Sequence, residues 1–440
     1  MNRTPSMWAI LAASVCVASV CVACAPATAE DTVPPAVAAS LEAAVEQGGR
    51  PGVVLGYVRD GESVFLAHGR TGNPASPPIG PDTVFELGSV TKLFTAETLA
   101  GLAVQGEVSP DTPLAAIWPD RLAESPVTLA QLATHRASLP RQVPGEVLSA
   151  NDANALIEVA RSAAPTEAPA YSNTGMALLA LALSEATGRS IAGNLAVAVT
   201  GPFGLTDTGY TPGQPERLAH PHAGGRDISD SRPQTVSVAH GTGGLHSTAR
   251  DLARLVEAHL APEGDAAAIV SLALAGTDGV PLGWQVHDNG QRQVFHHSGD
   301  ANGYQVFVGF RQDTATGVVL LSNASADDGL QQIALHLLDP SVPLPVFGSE
   351  GEAAGLAQYA GEYRFASEPD GNSIRIEVDG ADLIYVETAP DGTLVRRTGL
   401  VEREPGLFQI RGIPAGIRFG DNGSAELLVG EDRYELVRSE

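Results

Sequence analysis

The chain has 440 residues, 43% of them hydrophobic, and a formal net charge of −25 at pH 7. This length and apolar content predict two or three folded domains and argue against a disordered chain. The acidic excess is spread along the chain and repels polyanions, so nucleic acid is not expected as a partner.

The first 29 residues have the layout of a secretory signal peptide. A positive amino end with Arg3 precedes a mostly apolar run from Trp8 to Cys24, and the small residues Ala27 and Ala29 fit a cleavage site. We therefore expect an exported protein, periplasmic or secreted. Two alternatives stay open: a lipoprotein signal ending at Cys24, which would tie the chain to a membrane, and an uncleaved anchor, although a run of about 17 residues is short for spanning.

The cysteines all lie in this leader, at positions 16, 21 and 24. The mature chain therefore has no disulfide, no thiol nucleophile and no thiolate metal ligand. Cysteine chemistry is excluded.

The pattern that follows predicts one domain over residues 30–338. A helix over 36–47 leads into two apolar runs, 53–58 and 64–68, which Asp60-Gly61 joins as a hairpin. Helical patterns over 89–105 and 150–188 come next. Apolar strands then return at 283–287, 293–297, 304–310 and 317–321, before a helix over 330–338. Because helices stand between two batches of strands, we expect an α+β fold: an antiparallel sheet flanked by helices, with an all-helical subdomain.

The C-terminal part of the chain changes character. Residues 339–357 are rich in Pro, Gly, Glu and Ala and predict a linker. In residues 358–440, Ile374, Ile376 and Val378 alternate with polar residues, and Asp-Gly or Asn-Gly pairs recur at 370, 379, 391 and 422. Short strands at such spacing predict a small all-β barrel or sandwich.

The candidate nucleophile is Ser89, three residues before Lys92 at the start of a predicted helix. Lys92 is the only lysine, beside 25 arginines. Arginine cannot release its proton, whereas a desolvated lysine can act as a neutral amine base. Residues three apart share a helix face, and the helix N-terminus favours an alkoxide at Ser89. The alternative is a helix-capping serine followed by a solvated lysine.

A second group, Tyr171-Ser172-Asn173, lies in a predicted loop just before a helical pattern. Tyrosine can carry a proton to a leaving group, and asparagine can hydrogen-bond a lysine and a substrate amide. A turn with a capping Asn173 is the alternative.

A third group, His297-Ser298-Gly299, is predicted at the end of a strand. Glycine lets a ligand approach the strand, and the backbone N–H of Asp300 can form an oxyanion hole with that of Ser89. A buried structural histidine is the alternative.

These three groups resemble, in order, the motifs of the serine β-lactamase and penicillin-binding family: Ser89-x-x-Lys92, Tyr171-x-Asn173 and His297-x-Gly299. The chain is most similar to the branch of class C β-lactamases, D-Ala-D-Ala carboxypeptidases, D-aminopeptidases and related esterases. Its C-terminal strands resemble the lipocalin-like domain of some members. The resemblance implies an acyl-enzyme on Ser89, proton transfer by Lys92 and Tyr171, and no cofactor. It also implies substrate contacts from Asn173, His297, Ser298 and Gly299.

Two departures limit the functional expectation. Class C β-lactamases typically have lysine where this chain has His297, and Ala137 and Ser138 replace the usual Ser-Gly. We expect hydrolysis of an amide in a β-lactam or a D-amino-acid peptide. A carboxylesterase and a non-catalytic penicillin-recognising sensor remain alternatives.

A metal site is the rival from another class, suggested by His296-His297 and His220-Pro221-His222. Neither pair has the helical i, i+4 spacing of a convincing site. Adjacent side chains on a strand also point to opposite faces. No metal is therefore expected.

Overall fold

The computed structural model describes residues 32–46, 50–223, 226–230, 235–301, 303–325, 329–345, 347, 356–379, 382–404, 406–410, 415–420, 424–429 and 432–439. The predicted leader, with Cys24, lies outside these residues. No helix within the described ranges is long and apolar enough to cross a membrane.

The first part of the chain contains eleven strands and eleven α-helices among its described residues. The strands are β1 Gly52–Arg59, β2 Glu62–Gly69, β3 Val84–Glu86, β4 His222–Ala223, β5 Arg226–Asp227, β6 His246–Thr248, β7 Gln285–Asp288, β8 Gln293–Ala301, β9 Tyr304–Arg311, β10 Thr316–Ser322 and β11 Ala324–Ser325. The helices are α1 Pro35–Glu46, α2 Thr91–Val104, α3 Leu114–Ile117, α4 Leu129–Ala133, α5 Gly145–Ala150, α6 Ala153–Val159, α7 Asn173–Thr187, α8 Ile191–Leu195, α9 Ala249–Leu260, α10 Gly264–Ala275 and α11 Leu330–Leu338.

The central sheet has six strands in the order β2-β1-β10-β9-β8-β7, and every pairing is antiparallel. Strands from the two ends of the segment therefore meet at β1 and β10, as predicted. Asp60 and Gly61 have φ of 53° and 82°, the left-handed pair that a two-residue hairpin of this type requires.

Both faces of this sheet are covered. Alternate residues of each strand point to opposite sides, so each strand contributes to two separate clusters. On one face Leu55, Phe307 and Leu320 pack with α1 and α11 in one buried cluster. On the other face Val54, Val308 and Leu321 join a larger cluster that includes α2, α9 and the helices between β3 and β6. The α+β arrangement with a helical subdomain is therefore confirmed.

The C-terminal strands close into a barrel, which decides between the barrel and the sandwich left open by the sequence. The barrel contains β12 Gly361–Phe365, β13 Glu368–Asp379, β14 Asp382–Thr388, β15 Leu394–Glu404, β16 Leu407–Ile410, β17 Ala415–Phe419, β18 Ala425–Val429 and β19 Asp432–Ser439. Its pairing is antiparallel throughout, and β12 closes on β19. The interior is a separate buried cluster that includes Ile374, Phe408 and Ile417.

Three local expectations differ from the structure or fall outside it. Strand β8 continues to Ala301, so His297 lies inside the strand and not at its end, because pairing with β9 extends as far as Ala301 and Tyr304. Asp370-Gly371 lies within β13, and the turn stands instead at 366–367, beside an irregular register in β12. Asp391-Gly392 does form a turn, with Gly392 at φ 85°. The pair at 422 lies outside the described residues.

The predicted linker contributes to the first domain's packing at its N-terminal end. Phe347 is buried in the cluster formed by α1, α11 and the sheet, and Leu344 packs against it. Chain that follows α11 therefore still stabilises this face of the sheet.

Two core truncations test whether the sheet and the barrel have independent cores. Leu320→Ala, at a side chain 1% exposed, should lower the free energy of unfolding by about 2–5 kcal/mol. Trp118 and Trp284 both lie in the larger sheet cluster, so their fluorescence should follow this loss in a denaturant titration. Ile417→Ala, in the barrel cluster, should leave that fluorescence transition unchanged. An equal shift for both variants would contradict the separation.

Candidate active site

Ser89 lies in a single 3-10 turn, Gly88–Val90, that leads directly into α2. Gly88 has φ 52°, a left-handed conformation that lets the chain turn sharply from the short strand β3 into this helix. The turn and the first residues of α2 place Ser89 and Lys92 on one side. The Lys92 Nζ donates a hydrogen bond to Ser89 Oγ at 2.9 Å. The predicted pair is therefore brought together.

Lys92 is almost completely enclosed, with 1% of its surface exposed. Its amine also donates to the carbonyl oxygen of Thr242 at 3.0 Å. Burial, and secondarily the positive charge of Arg141, lower the pKa of Lys92 from 10.5 to about 7. A substantial fraction of this amine is therefore neutral at neutral pH, as a proton acceptor requires.

Tyr171 approaches the same oxygen from the loop before α7. Its hydroxyl donates to Ser89 Oγ at 3.0 Å. The loop is held because Ser172 caps α7, accepting a hydrogen bond from Gly175 N at 2.9 Å, and donates to the carbonyl of Pro140. The cap is thus Ser172 and not Asn173. Burial raises the pKa of Tyr171, so its hydroxyl stays protonated at neutral pH.

Strand β8 packs directly against the turn that carries Ser89. A Cβ on Gly299 would lie 2.1 Å from the Leu87 carbonyl oxygen and 3.1 Å from Ser89 N. A Cβ on Gly88 would lie 2.6 Å from the Asp300 carbonyl oxygen. Only glycine at both positions allows the two backbones to come this close, which brings the peptide groups of Ser89 and Asp300 to the same end of the cleft.

His297 does not reach the surface of the cleft. It is 1% exposed, and its Nδ1 donates to the Ser298 carbonyl at 2.8 Å. The ring lines a second cavity of about 310 Å³ together with His135 and Trp284. Burial first, and Lys92 second, lower the pKa of His297 to about 3. A direct contact between this neutral ring and substrate would require His297 to become exposed.

The cleft itself has a volume of about 750 Å³ and includes Ser89, Lys92, Asn173 and Asp300 in its lining. The Asn173 side chain donates to Gln142 Oε1 at 2.6 Å, away from Lys92. Asn173 Oδ1 is buried and has no hydrogen-bond partner in the described structure. Ser298 is half-buried. Of the predicted substrate-contacting side chains, Asn173 is therefore the one in the cleft lining.

Sequence reasoning assigned no role to several residues of the site. His135, at φ 58°, places its ring 4.7 Å from the Tyr171 ring and accepts a hydrogen bond from Ser172 N at 3.2 Å. Burial, and secondarily Lys92, lower the pKa of His135 to about 4. Arg141, Gln142 and the Thr242 carbonyl also contact the motif residues. No spacing rule marks them, because they come from loops that meet only in the folded chain.

The histidine pairs do not assemble a metal site. His296 stacks on Phe307, on the opposite face of β8 from His297. His220 pairs with Asp227, while His222 Nδ1 donates to the His220 carbonyl. Across the described ranges, no group of three or more His, Cys, Asp or Glu side chains is arranged to hold a metal ion.

Comparison with known families identifies the class of protein that has this fold and this site. The family model "Beta-lactamase" matches residues 37–339, the whole of the sheet and its helices. The chain belongs to the beta-lactamase family.

The relatives include a D-alanyl-D-alanine carboxypeptidase and a beta-lactamase. The chain is 31% identical over 231 residues to the Escherichia coli D-alanyl-D-alanine-carboxypeptidase/endopeptidase AmpH, covering 49% of this chain and 59% of AmpH. It is 27% identical over 258 residues to an Escherichia coli beta-lactamase, covering 57% of this chain and 67% of that protein. The chain thus spans less than two thirds of AmpH, the relative with the higher identity.

Solved structures show the same fold. A class C beta-lactamase from Rhodobacter sphaeroides superposes with a TM-score of 0.61 at 24% identity, over 70% of this chain and 99% of that one. A beta-lactamase from Sulfitobacter sp. EE-36 also gives 0.61, at 25% identity over 70% and 96% of the two chains.

The close approach of β8 to the Ser89 turn gives a test of the site's construction. Gly299→Ala would push the strand away from Leu87 and Ser89, and overpacking of this kind costs about 1–3 kcal/mol. Gly145→Ala is the matched control, because a Cβ there meets nothing within 4 Å. We expect Gly299→Ala alone to lower the melting temperature and to slow the reaction of Ser89 with a fluorophosphonate. Equal behaviour of the two variants would show that the contact does not shape the site.

Proposed function

We propose that this protein is an exported serine hydrolase that forms an acyl-enzyme on Ser89 and cleaves an amide bond in a β-lactam or a D-amino-acid peptide. The observation that carries the proposal is the pair of contacts to Ser89 Oγ: the Lys92 amine at 2.9 Å and the Tyr171 hydroxyl at 3.0 Å. Family membership and the names of the relatives, a D-alanyl-D-alanine carboxypeptidase and a beta-lactamase, support the substrate class.

Acylation begins with the neutral Lys92 amine accepting the Ser89 hydroxyl proton. The Ser89 oxygen then bonds to the acyl carbon, and the carbonyl oxygen gains negative charge. The backbone N–H groups of Ser89 and Asp300 are the proposed donors to that oxyanion. The close packing of Gly88 and Gly299 supports this assignment.

Collapse of the tetrahedral intermediate breaks the bond from the acyl carbon to the leaving nitrogen. Tyr171 gives its hydroxyl proton to that nitrogen and recovers one from the Lys92 ammonium, so the serine proton ends on the leaving group. The ammonium lies 5.0 Å from the centre of the Tyr171 ring, where a cation–π contact of about 0.5–2 kcal/mol favours it while it exists.

Deacylation reverses the proton transfers with water in place of the leaving group. Water loses a proton to the Lys92 and Tyr171 pair and attacks the acyl carbon, and Ser89 leaves with a proton restored. No step needs a cofactor. Asn173 is the proposed ligand of the substrate amide, since its side chain lines the cleft. His297 is proposed to support substrate binding from behind the cleft, as a neutral ring.

The rest of the chain is assigned as follows. Residues 1–29 are proposed as a signal peptide, 30–338 as the hydrolase domain, 339–357 as a linker and 358–440 as a lipocalin-like barrel domain. Export to the periplasm or medium suits an enzyme acting on D-amino-acid peptides or β-lactams.

Substitution of the two central residues tests the mechanism. Ser89→Ala should abolish hydrolysis of nitrocefin, p-nitrophenyl esters and D-amino-acid amides alike. Lys92→Arg keeps the charge but cannot release the proton, so kcat/KM should fall about 100-fold or more for any substrate that the wild type accepts. Ser162→Ala, an exposed serine on the same domain, is the control and should keep full activity.

The same panel separates the rival functions. Release of product from an amide or β-lactam supports the proposal. Turnover of esters alone would identify a carboxylesterase, while permanent label on Ser89 without turnover would identify a sensor. Near-normal rates in Lys92→Arg would contradict the assignment of the base.

A further inference from the structure

A second cavity, of about 310 Å³, lies apart from the cleft that contains Ser89. The lining of this second cavity includes His135 and His297, whereas that of the cleft includes Ser89, Lys92 and Asn173. Among the described residues, none lines both spaces. A molecule in the second cavity would therefore leave the cleft open to an acyl donor.

One wall of the second cavity is a tight turn. Asp278 and Gly279 have φ of 53° and 75°, and the two residues that flank them exchange two backbone hydrogen bonds of 3.0 Å. This is the geometry of a two-residue hairpin turn. Arg136, which follows His135 in the chain, pairs with Asp278 at 3.1 Å. The turn and the loop that carries His135 are thus held together, so the cavity is formed before any ligand enters.

His297 supplies a hydrogen-bond acceptor to this cavity. The ring is buried, and its Nδ1 donates to the Ser298 carbonyl at 2.8 Å. Nδ1 therefore carries the proton of the neutral ring, and Nε2 is left as an acceptor. No described residue donates a hydrogen bond to Nε2. Because a buried acceptor without a donor is unfavourable, this nitrogen favours a ligand that carries an N–H group.

His135 has the opposite hydrogen-bonding character. Its Nδ1 accepts a hydrogen bond from Ser172 N at 3.2 Å, so in the neutral ring the proton is on Nε2, which can donate. A charge on His135 would act on His297, since the two rings are near each other. The lining of the cavity thus offers one acceptor and one donor at neighbouring positions.

The cavity favours a neutral ligand. Burial lowers the pKa values of His297 and His135 to about 3 and about 4, in each case with a second contribution from Lys92. Both rings are therefore uncharged at neutral pH. Apolar side chains, among them Trp284 and Val280, form much of the remaining lining, and none of the described lining residues is an acid, a lysine or an arginine. A charged ligand would lose its hydration there without gaining an ion pair.

We propose that the second cavity binds a small neutral heteroaromatic molecule, whose ring N–H donates to His297 Nε2 and whose acceptor nitrogen receives the His135 Nε2–H. The volume is at the lower end of the range for small-molecule sites, which suits one ring or two fused rings. The inference goes beyond the proposed function and does not rest on it, because acylation of Ser89 is not needed for binding. The bound molecule would lie against His135, whose ring contacts that of Tyr171.

Benzimidazole is a suitable probe, because its neutral ring system has one N–H and one acceptor nitrogen. Isothermal titration calorimetry with the full chain, above neutral pH, should give a Kd of about 1 mM or tighter. The analogue 1-methylbenzimidazole lacks the N–H and indole lacks the acceptor nitrogen, so each should bind about fivefold or more weakly. In protein labelled with ¹⁵N-tryptophan, the indole resonance of Trp284 should shift during the titration, and that of Trp118, which is outside the cavity lining, should not.

A substitution of His297 tests its contact with the probe. His297→Phe keeps a ring of similar size but removes the acceptor, so it should abolish the preference for benzimidazole over 1-methylbenzimidazole. His336→Phe is the matched control, because His336 Nδ1 also donates to a backbone carbonyl, that of Val342, and the residue is outside the cavity lining. This control should keep the affinity and the preference of the wild type.

The proposal is overturned if benzimidazole does not bind, if it binds without shifting the Trp284 resonance, or if 1-methylbenzimidazole binds equally well. Retention of the preference in His297→Phe would also overturn it. Equal binding of indole and benzimidazole would overturn the His135 contact. Should His297→Phe not fold, the wild-type affinities and the Trp284 resonance still decide the question. All of these results are independent of whether Ser89 is acylated.

Discussion

The site depends on one constraint: a lysine amine is held out of water next to a serine oxygen. Helix α2 passes through the largest core cluster, and its residues from Thr91 to Leu102 are all buried. Lys92 can therefore place its amine only along the cleft floor, where Ser89 Oγ and the Thr242 carbonyl receive it. Burial disfavours the charged form of an amine, so the packing that builds the fold also prepares the base.

The neighbours of Lys92 reinforce this effect. Arg141, whose guanidinium carbon lies 5.0 Å from the centre of the Tyr171 ring, adds a positive charge that lowers the pKa of Lys92 further. Burial and this positive charge together keep a substantial fraction of the Lys92 amine neutral at neutral pH, so that it can accept a proton.

Much of the fold could be predicted from local sequence patterns that have a direct physical cause. Two apolar runs and the Asp60-Gly61 turn located the β1–β2 hairpin, and the helix over 330–338 matches α11 residue for residue. Closure of the C-terminal strands required the pairing of β12 with β19, which local patterns do not encode. At Asp370-Gly371 the sequence predicts a turn, but both residues lie within the long strand β13. Cross-strand pairing therefore outweighs the local turn preference there.

For the site, sequence reasoning located Ser89 and Lys92 because one lysine stood out against 25 arginines. The Tyr171 hydroxyl lies against Ser89, whereas the His297 ring, expected to contact substrate, is buried, as in the alternative of a buried structural histidine. Whether a strand residue faces a cleft or a core depends on which helix packs on that face of the strand. In β8, the lack of a side chain at Gly299 allows the strand to pack tightly against the Ser89 turn. Sequence reasoning gave Arg141 and His135 no role, because their contacts with Tyr171 form only in the folded chain.

The most direct test is a titration of the Lys92 amine itself. Because the chain contains a single lysine, ¹³C labelling of lysine Cε gives one protein resonance whose chemical shift reports protonation. The account predicts a midpoint at about pH 7, and hydrolysis that declines below that pH as the base becomes protonated. A midpoint near 10.5, the ordinary value for lysine, would show a solvated ammonium and would contradict the account.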